Sequence, residues 1–236
     1  KDGGATWDIL HNLLPGYDSS TTMPLLGGGG DSYAIDVRDS VVAILVGGLG
    51  ENVTLWKSTD AGENFTRTVV QQFQYAPYKF KAYIPTTERA ETNDGSVDVL
   101  IDNNNVVHAF WGASFISDED TTDDRYSFYP GTAALIHWAE GDSAKICGGT
   151  IDMDGSGDLS ITAETFSSLD ASGNLPGSVT FAARNGNTSI VTTPSAGIDA
   201  NGNIYVVYSA AIEETYHTYN ANFRDVLINY SKDGGK

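Results

Sequence analysis

Cysteine and basic residues are scarce in this sequence. The single cysteine, Cys147, excludes an intrachain disulfide, and its position between Ile146 and Gly148 favours a buried apolar thiol over a nucleophile. Lys and Arg number 13 against 31 Asp and Glu, which gives a formal net charge of -18. Such a charge repels polyanions, so we expect neither nucleic acid nor an anionic membrane surface as a partner.

Long apolar runs and metal-ligand spacings are also missing. No stretch approaches the roughly 20 apolar residues of a membrane-spanning helix. The four histidines are scattered, and none stands near a Cys or another His at zinc-ligand spacing. By contrast, the chain has 26 glycines and 11% aromatic residues but only 19% charged residues. This composition is typical of many short strands joined by tight turns and predicts an all-β fold.

One short motif occurs three times along the chain. A complete copy reads KSTDAGENF at 57–65, and partial copies read KDGGATW at 1–7 and YSKDGGK at 230–236. All three fit the pattern S-x-D-x-G-x-x-[WF]. The motif residues are Ser58, Asp60, Gly62 and Phe65 in the complete copy, Asp2, Gly4 and Trp7 in the first, and Ser231, Asp233 and Gly235 in the last.

The pattern has the chemistry of a hairpin turn. A short Asp side chain accepts hydrogen bonds from turn N–H groups, Gly allows a positive φ, and the aromatic ring packs under the loop. A second repeat, in which an Ile-Asp pair enters a polar turn before an apolar strand, begins near residues 34, 100 and 197. Together the repeats predict recurring antiparallel units of about four strands.

The motif copies resemble the Asp boxes, or BNR repeats, of sialidase-like and sortilin-like β-propellers, and several strands resemble those of secreted bacterial BNR proteins. The resemblance implies a β-propeller with antiparallel four-stranded blades and Asp-box hairpins that lie away from the ligand-binding face. It also implies a secreted or cell-surface location.

The expected organisation is a partial propeller over 1–236, with approximate blades at 8–66, 67–143 and 144–236. Inserted loops are expected near 115–130 and 151–180. Three blades cannot close a ring of the usual four to eight. Because both ends of the sequence fall within the motif, we expect the remaining blades to come from the same, longer polypeptide.

One segment outside the repeats suggests a cation site. In IDMDGSGDLSITAE at 151–164, the residues Asp152, Asp154, Ser156 and Asp158 alternate as in the start of a calcium loop. The acid required at position twelve is replaced by Ala163, however, and an ordinary turn also explains much of the pattern. Calcium is therefore one of two interpretations, and no other cofactor is expected.

Two functions fit the sequence. The first is a noncatalytic exported module that binds a glycan or a cell-surface protein or serves as an assembly scaffold. The alternative is a fragment of a sialidase-like glycoside hydrolase whose catalytic residues lie partly elsewhere. The resemblance implies an Arg-Ile-Pro signature, but the nearest match is Tyr83-Ile84-Pro85, which favours the binding module. No catalytic residue is assigned.

Overall fold

The structure is a computed structural model that describes most of the chain. It describes residues 5, 7, 13–17, 32–78, 82–129, 134–150, 189–216 and 222–235. These residues form an all-β architecture, as the composition predicts. No helix of the described part is long and apolar enough to cross a membrane.

The described strands form three antiparallel sheets that follow one another along the chain. The first contains β1 (Tyr33–Arg38), β2 (Val41–Val46), β3 (Val53–Ser58) and β4 (Thr66–Gln71). The second contains β5 (Ala90–Ile101), β6 (Val107–Ser117), β8 (Leu135–Ala139) and β9 (Lys145–Gly148), with β7 (Ser127–Tyr129) paired to β6. The third contains β10 (Val191–Ile198), β11 (Ile204–Tyr216) and β12 (Asn222–Ser231).

Each sheet packs face to face with the next through an apolar layer. Between the first and second sheets, Leu45 and Leu55 lie in one buried cluster with Val99 and Trp111. Between the second and third sheets, Phe110 and Leu135 lie in another cluster with Val206 and Tyr208. Burial of these side chains is the main source of cohesion between the sheets.

The first strands of the three sheets are neighbours. The Asp36 carboxylate of β1 accepts a hydrogen bond from the Ile101 N–H of β5 at 2.6 Å. In the same way, the Asp98 carboxylate of β5 accepts one from the Ala196 N–H of β10 at 2.5 Å. The first strands of the three sheets, β1, β5 and β10, are therefore linked by hydrogen bonds from backbone N–H groups to these two carboxylates.

Short turns lie together at one end of the sheets, which we call the turn end. Its turns span 39–40, 58–65, 102–106, 199–203 and 231–235. Asp102 accepts hydrogen bonds from the N–H groups of Asn104 and Val106, and Asp199 accepts the equivalent bonds from Asn201 and Asn203. For these two copies, the predicted Ile-Asp turn is confirmed.

The first Ile-Asp copy was predicted incorrectly. Asp36 does not enter a turn but lies within β1, opposite Ala43. The β1–β2 connection has only two residues, Asp39 and Ser40, whereas the corresponding connections in the other sheets span 102–106 and 199–203. The shorter connection moves the turn three residues along the chain from the Ile-Asp pair.

Candidate functional site

Two of the motif copies form the same turn. The Ser58 hydroxyl donates to Asp60 at 2.7 Å and accepts from the N–H groups of Asp60 and Gly62 at 3.2 and 2.9 Å. The Ser231 hydroxyl donates to Asp233 at 2.6 Å and accepts from Asp233 and Gly235 at 3.3 and 2.7 Å. Their carboxylates are committed to the turns themselves, which gives them a structural role.

The remaining motif residues add little to a site. Hydrogen bonds from Asn64 and Ser58 lower the pKa of Asp60 to about 2, and the ring of Phe65 lies near Gly62. Of the three motif residues in the first copy, only Trp7 is described, and its side chain is 76% exposed. Asp2 and Gly4 lie outside the described residues, as do the calcium candidates Asp152, Asp154, Ser156 and Asp158.

The turn hydroxyl gives a direct test of this structural role. Ser58 is buried, and its loss leaves the N–H groups of Asp60 and Gly62 without their acceptor. We expect Ser58→Ala to lower the free energy of unfolding by about 1–2 kcal/mol, measured by urea denaturation. The neighbouring exposed variant Thr59→Ala is the control and should change it by less than about 0.5 kcal/mol. Equal effects of the two variants would contradict the account.

The opposite end of the sheets, which we call the loop end, carries longer connections. They are the β2–β3 loop at 47–52, the described parts of the β4–β5 connection at 72–78 and 82–89, and the β6–β7 loop at 118–126. Ile84 and Asp118 form a two-bond backbone bridge between two of these connections, and the Tyr78 hydroxyl donates to Asp118 at 2.6 Å. These contacts hold the loops in a defined arrangement.

A bulge in β5 joins all three sheets at the loop end. The pairing of β5 with β6 shifts between Asn93 and Val97, so that Asp94, Gly95 and Ser96 bulge from the strand. The Asn93 amide donates to the carbonyls of Gly48 and Glu51 in the first sheet, both at 2.9 Å. The bulge therefore fixes the β2–β3 loop against the second sheet.

On its other side the same bulge binds the third sheet. The Asp94 carboxylate accepts hydrogen bonds from the Ser96 N–H and hydroxyl, at 3.0 and 2.7 Å, and from the Ser189 N–H at 3.2 Å. The Ser96 hydroxyl also lies 3.0 Å from the Thr192 hydroxyl. Burial raises the pKa of Asp94, and the hydrogen bonds oppose that rise.

Two further carboxyl groups at this end have raised pKa values. Glu51 is 4% exposed, and its buried Oε1 makes no hydrogen bond among the described residues. Burial raises the pKa of Glu51. Glu91, the second residue of β5, is exposed as a whole residue, yet partial burial of its carboxyl also raises its pKa. Burial therefore favours the protonated form of both carboxyl groups relative to a carboxyl in water.

An exposed aromatic ring also lies at the loop end. Tyr83 is 60% exposed although the next residue, Ile84, is buried and bridged to Asp118. Tyr83 therefore presents its ring from a fixed backbone. The string nearest to the Arg-Ile-Pro signature, Tyr83-Ile84-Pro85, thus places an exposed tyrosine at the loop end.

A buried histidine pair lies toward the turn end. His108 Nδ1 and His137 Nε2 are 3.0 Å apart, and the rings stack with centroids 5.2 Å apart. Burial, followed by the charges of His108 and Lys145, lowers the pKa of His137 to about 4. Within the described part of the chain, no group of three or more His, Cys, Asp or Glu side chains could hold a metal ion.

The lowered pKa of His137 predicts a stability change in acid. The unfolded chain binds the proton near pH 6.5 and the folded chain near pH 4, so the contribution of His137 to stability is complete above pH 6.5 and is lost toward pH 4. We expect wild type to lose more stability over this range than His137→Gln, measured by urea denaturation. Since His108, Glu51 and Asp94 titrate in both proteins, the difference reports His137 together with its coupling to His108; identical pH profiles would contradict this assignment.

The cysteine is half-buried, and its thiol is unreactive in character. Burial raises the pKa of Cys147 to about 12, so the thiolate is scarce at neutral pH. The thiol is therefore a poor nucleophile, as predicted, although Cys147 is half-buried and not buried as expected.

Sequence reasoning missed the loop-end residues. The run GGLGE at 47–51 after an apolar strand and the run NDGS at 93–96 within one were signals of a tight loop and a bulge. The two segments come into contact because strands distant in the sequence lie side by side, and no local sequence pattern shows that arrangement.

Comparisons with known proteins give no family. No protein-family profile and no curated protein match the chain. Among solved structures, it is similar to an ulvan lyase, a polysaccharide lyase (TM-score 0.43, 12% identity, 88% of this chain and 38% of that chain). It is also similar to a thermostable family-43 glycoside hydrolase (TM-score 0.34, 12% identity, 91% of this chain and 53% of that chain). A third similar structure is an endo-arabinanase from Bacillus licheniformis (TM-score 0.27, 15% identity, 88% of this chain and 74% of that chain). These neighbours are glycan-active enzymes, but at TM-scores below 0.5 the likeness carries no argument about activity.

Proposed function

We propose that this chain is part of an exported Asp-box β-propeller that binds a glycan at its loop end without catalysing a reaction. The observation that carries the proposal is the loop end itself, where Tyr83 is exposed on a connection fixed by the Ile84–Asp118 bridge and Glu91 is exposed near the start of β5. Sugar recognition commonly uses an exposed aromatic ring that contacts C–H groups and carboxyl or amide groups that contact hydroxyls.

The outer faces of the end sheets support the propeller. Ile35 and Val99 occupy equivalent positions, since Ile35 pairs through Ile44 with Trp56 and Val99 pairs through Ala109 with Trp138. Val99 is 4% exposed against the first sheet, whereas Ile35 is 63% exposed. The outer face of the first sheet thus carries Ile35 at a position that is buried between two sheets in the case of Val99. Among the described residues, no sheet packs on that face.

The third sheet shows the same feature on its outer face. Ile228 lies three residues before the turn serine Ser231, as Leu55 lies three residues before Ser58. Leu55 is 2% exposed against the second sheet, whereas Ile228 is 61% exposed. Further blades of a longer polypeptide, packed on both faces, would bury these side chains. The proposed divisions are 8–66, 67–143 and 144–236, and their boundaries fall one strand before the ends of the first and second sheets, at β4 and β9.

Binding to immobilised neutral polysaccharides, followed by isothermal titration with the best ligand, tests the proposed function. Tyr83→Ala should weaken binding at least tenfold, since an aromatic stacking contact contributes about 1.4 kcal/mol or more. Tyr230→Ala removes a tyrosine of similar exposure, 62% against 60%, near the turn end and should have no effect. Equal loss in both variants, or no binding to any glycan, would overturn the proposal.

The raised pKa of Glu91 favours a second candidate, the glycoside hydrolase fragment. A general acid for glycosidic cleavage needs a carboxyl that holds its proton until the bond breaks, and partial burial shifts the pKa of Glu91 upward, in that direction. Release of reducing ends by wild type, abolished in Glu91→Gln with binding intact, would establish this alternative. Binding without release in wild type would exclude catalysis by this chain alone.

A further inference from the structure

The interface between the second and third sheets contains a histidine pair at positions that are apolar in the first sheet. His137 of β8 corresponds to Leu55 of β3, since each lies one residue before a tryptophan. By the same register, His108 of β6 corresponds to Ala43 of β2. His108 and His137 are 1% and 2% exposed, so the interface buries two titratable rings where the preceding one buries alanine and leucine.

The third sheet packs directly against this pair. His137 lines a cavity of about 190 Å³ together with Phe110 of its own sheet and Val206, Asn229 and Gly235 of the third. Gly235 lies so close that a Cβ atom there would clash with the His137 ring. A charge on His137 is therefore kept from water by the contact between the two sheets.

The surroundings of His108 decide which nitrogen takes up a further proton. His108 Nε2 makes no hydrogen bond among the described residues, and Asp102 Oδ2 lies 3.8 Å from it. A proton on Nε2 faces this carboxylate favourably, whereas a lone pair there would face like charge, so we assign the neutral tautomer with the proton on Nε2. His137 then donates from its Nε2 to His108 Nδ1, and His137 Nδ1 is the basic atom of the pair.

Among the described residues, no carboxylate pairs with His137. Asp102 already accepts hydrogen bonds from N–H groups of its own turn. Lys145 of β9 disfavours a charge on either ring, and Asp142 favours one on His137 more weakly. The charged groups on the elements packed against the pair are Asp102, Glu140, Asp142, Lys145, Lys232 and Asp233.

We propose that the contact between the second and third sheets is an acid-sensitive joint, which opens when the histidine pair takes up a proton while the first and second sheets stay packed. An imidazolium held between Phe110 and the third sheet lacks both water and a counter-charge, and separation of the sheets hydrates it. The buried cluster between the first and second sheets consists of apolar side chains, which do not titrate. The joint does not depend on a bound glycan.

Hydrogen–deuterium exchange at about pH 7 and about pH 4.5 tests the proposal, with each rate corrected for the pH dependence of chemical exchange. An opened joint binds a proton at the ordinary histidine pKa of 6.5, whereas burial lowers the pKa of His137 to about 4 in the closed one. Acid therefore favours opening, and residues 204–211 in β11 should lose about tenfold or more of their protection. Residues 41–46 in β2 should keep theirs within about twofold.

A double variant places the first-sheet residues at both positions. His108→Ala with His137→Leu reproduces Ala43 and Leu55 and removes both rings from the interface. We expect its residues 204–211 to lose less than about twofold of their protection in acid, although Asp94 still titrates. Cys147→Ala is the matched control, because it removes a side chain from the same cavity whose pKa of about 12 keeps it uncharged at both pH values. It should respond as wild type does.

Circular dichroism at neutral pH first establishes that each variant folds. If the double variant is unfolded, His137→Leu alone takes its place, and a response smaller than that of wild type is expected. A response equal to that of wild type would overturn the joint. Loss of protection to the same extent in 41–46 and 204–211, or in neither segment, would overturn it as well. Each of these results leaves the proposed glycan binding untouched.

Discussion

Replacing Gly112 with alanine is expected to lower the free energy of unfolding by about 3 kcal/mol. Gly112 lies in β6 opposite the β5 bulge, and a Cβ atom there would meet the Asp94 carboxyl at 2.6–2.7 Å. Asp94 cannot retreat without breaking its hydrogen bonds to Ser96 and Ser189. The substitution therefore displaces the contact that joins the second and third sheets.

Gly197→Ala is the matched control for this prediction. Gly197 also lies in a strand, β10, and a Cβ atom there would have no neighbour within 4 Å. Urea denaturation should show a change of less than about 1 kcal/mol for Gly197→Ala. A mild effect of Gly112→Ala, comparable to that of the control, would show that the bulge is not as tightly enclosed as the structure indicates.

Val99→Asp is expected to prevent cooperative folding, whereas Ile35→Asp at the equivalent position is expected to leave it intact. Val99 is 4% exposed between the first and second sheets, and an unpaired carboxylate there costs about 4 kcal/mol or more. Ile35 is 63% exposed in this chain, so its replacement by Asp meets water.

The two variants are compared by circular dichroism during thermal unfolding. A cooperative transition for Ile35→Asp close to that of wild type, with none for Val99→Asp, is the expected pair of results. If Ile35→Asp also abolished the transition, the outer face of the first sheet would already be covered in this chain. The case for further blades on that face would then fail.

The sequence predicted the strands and turns better than the site. Strand composition and the Ser58 and Ser231 turns follow from local chemistry, because a hydroxyl and a carboxylate two residues apart can satisfy the N–H groups of their own turn. The Ile-Asp pattern was right for Asp102 and Asp199 and wrong for Asp36, since the lengths of the β-hairpin connections differ between sheets.

The loop-end residues could not be predicted for a different reason. Asn93 contacts the Gly48 and Glu51 carbonyls, 45 and 42 residues away, and Asp94 contacts Ser189, 95 residues away. Such contacts depend on sheet order and register. Likewise, His108 and His137 are 29 residues apart, so the sequence shows no histidine pair. The two side chains meet because β6 and β8 are neighbouring strands.

Hydrogen–deuterium exchange in the presence and absence of a bound neutral glycan tests the central claim most directly, because it reports where on the chain the ligand lies. The account predicts slower exchange in the loop-end segments 47–52 and 82–96, with no change in the turn-end segments 58–65 and 231–235. Protection confined to the turn end would contradict the assignment of the loop end as the glycan-binding surface.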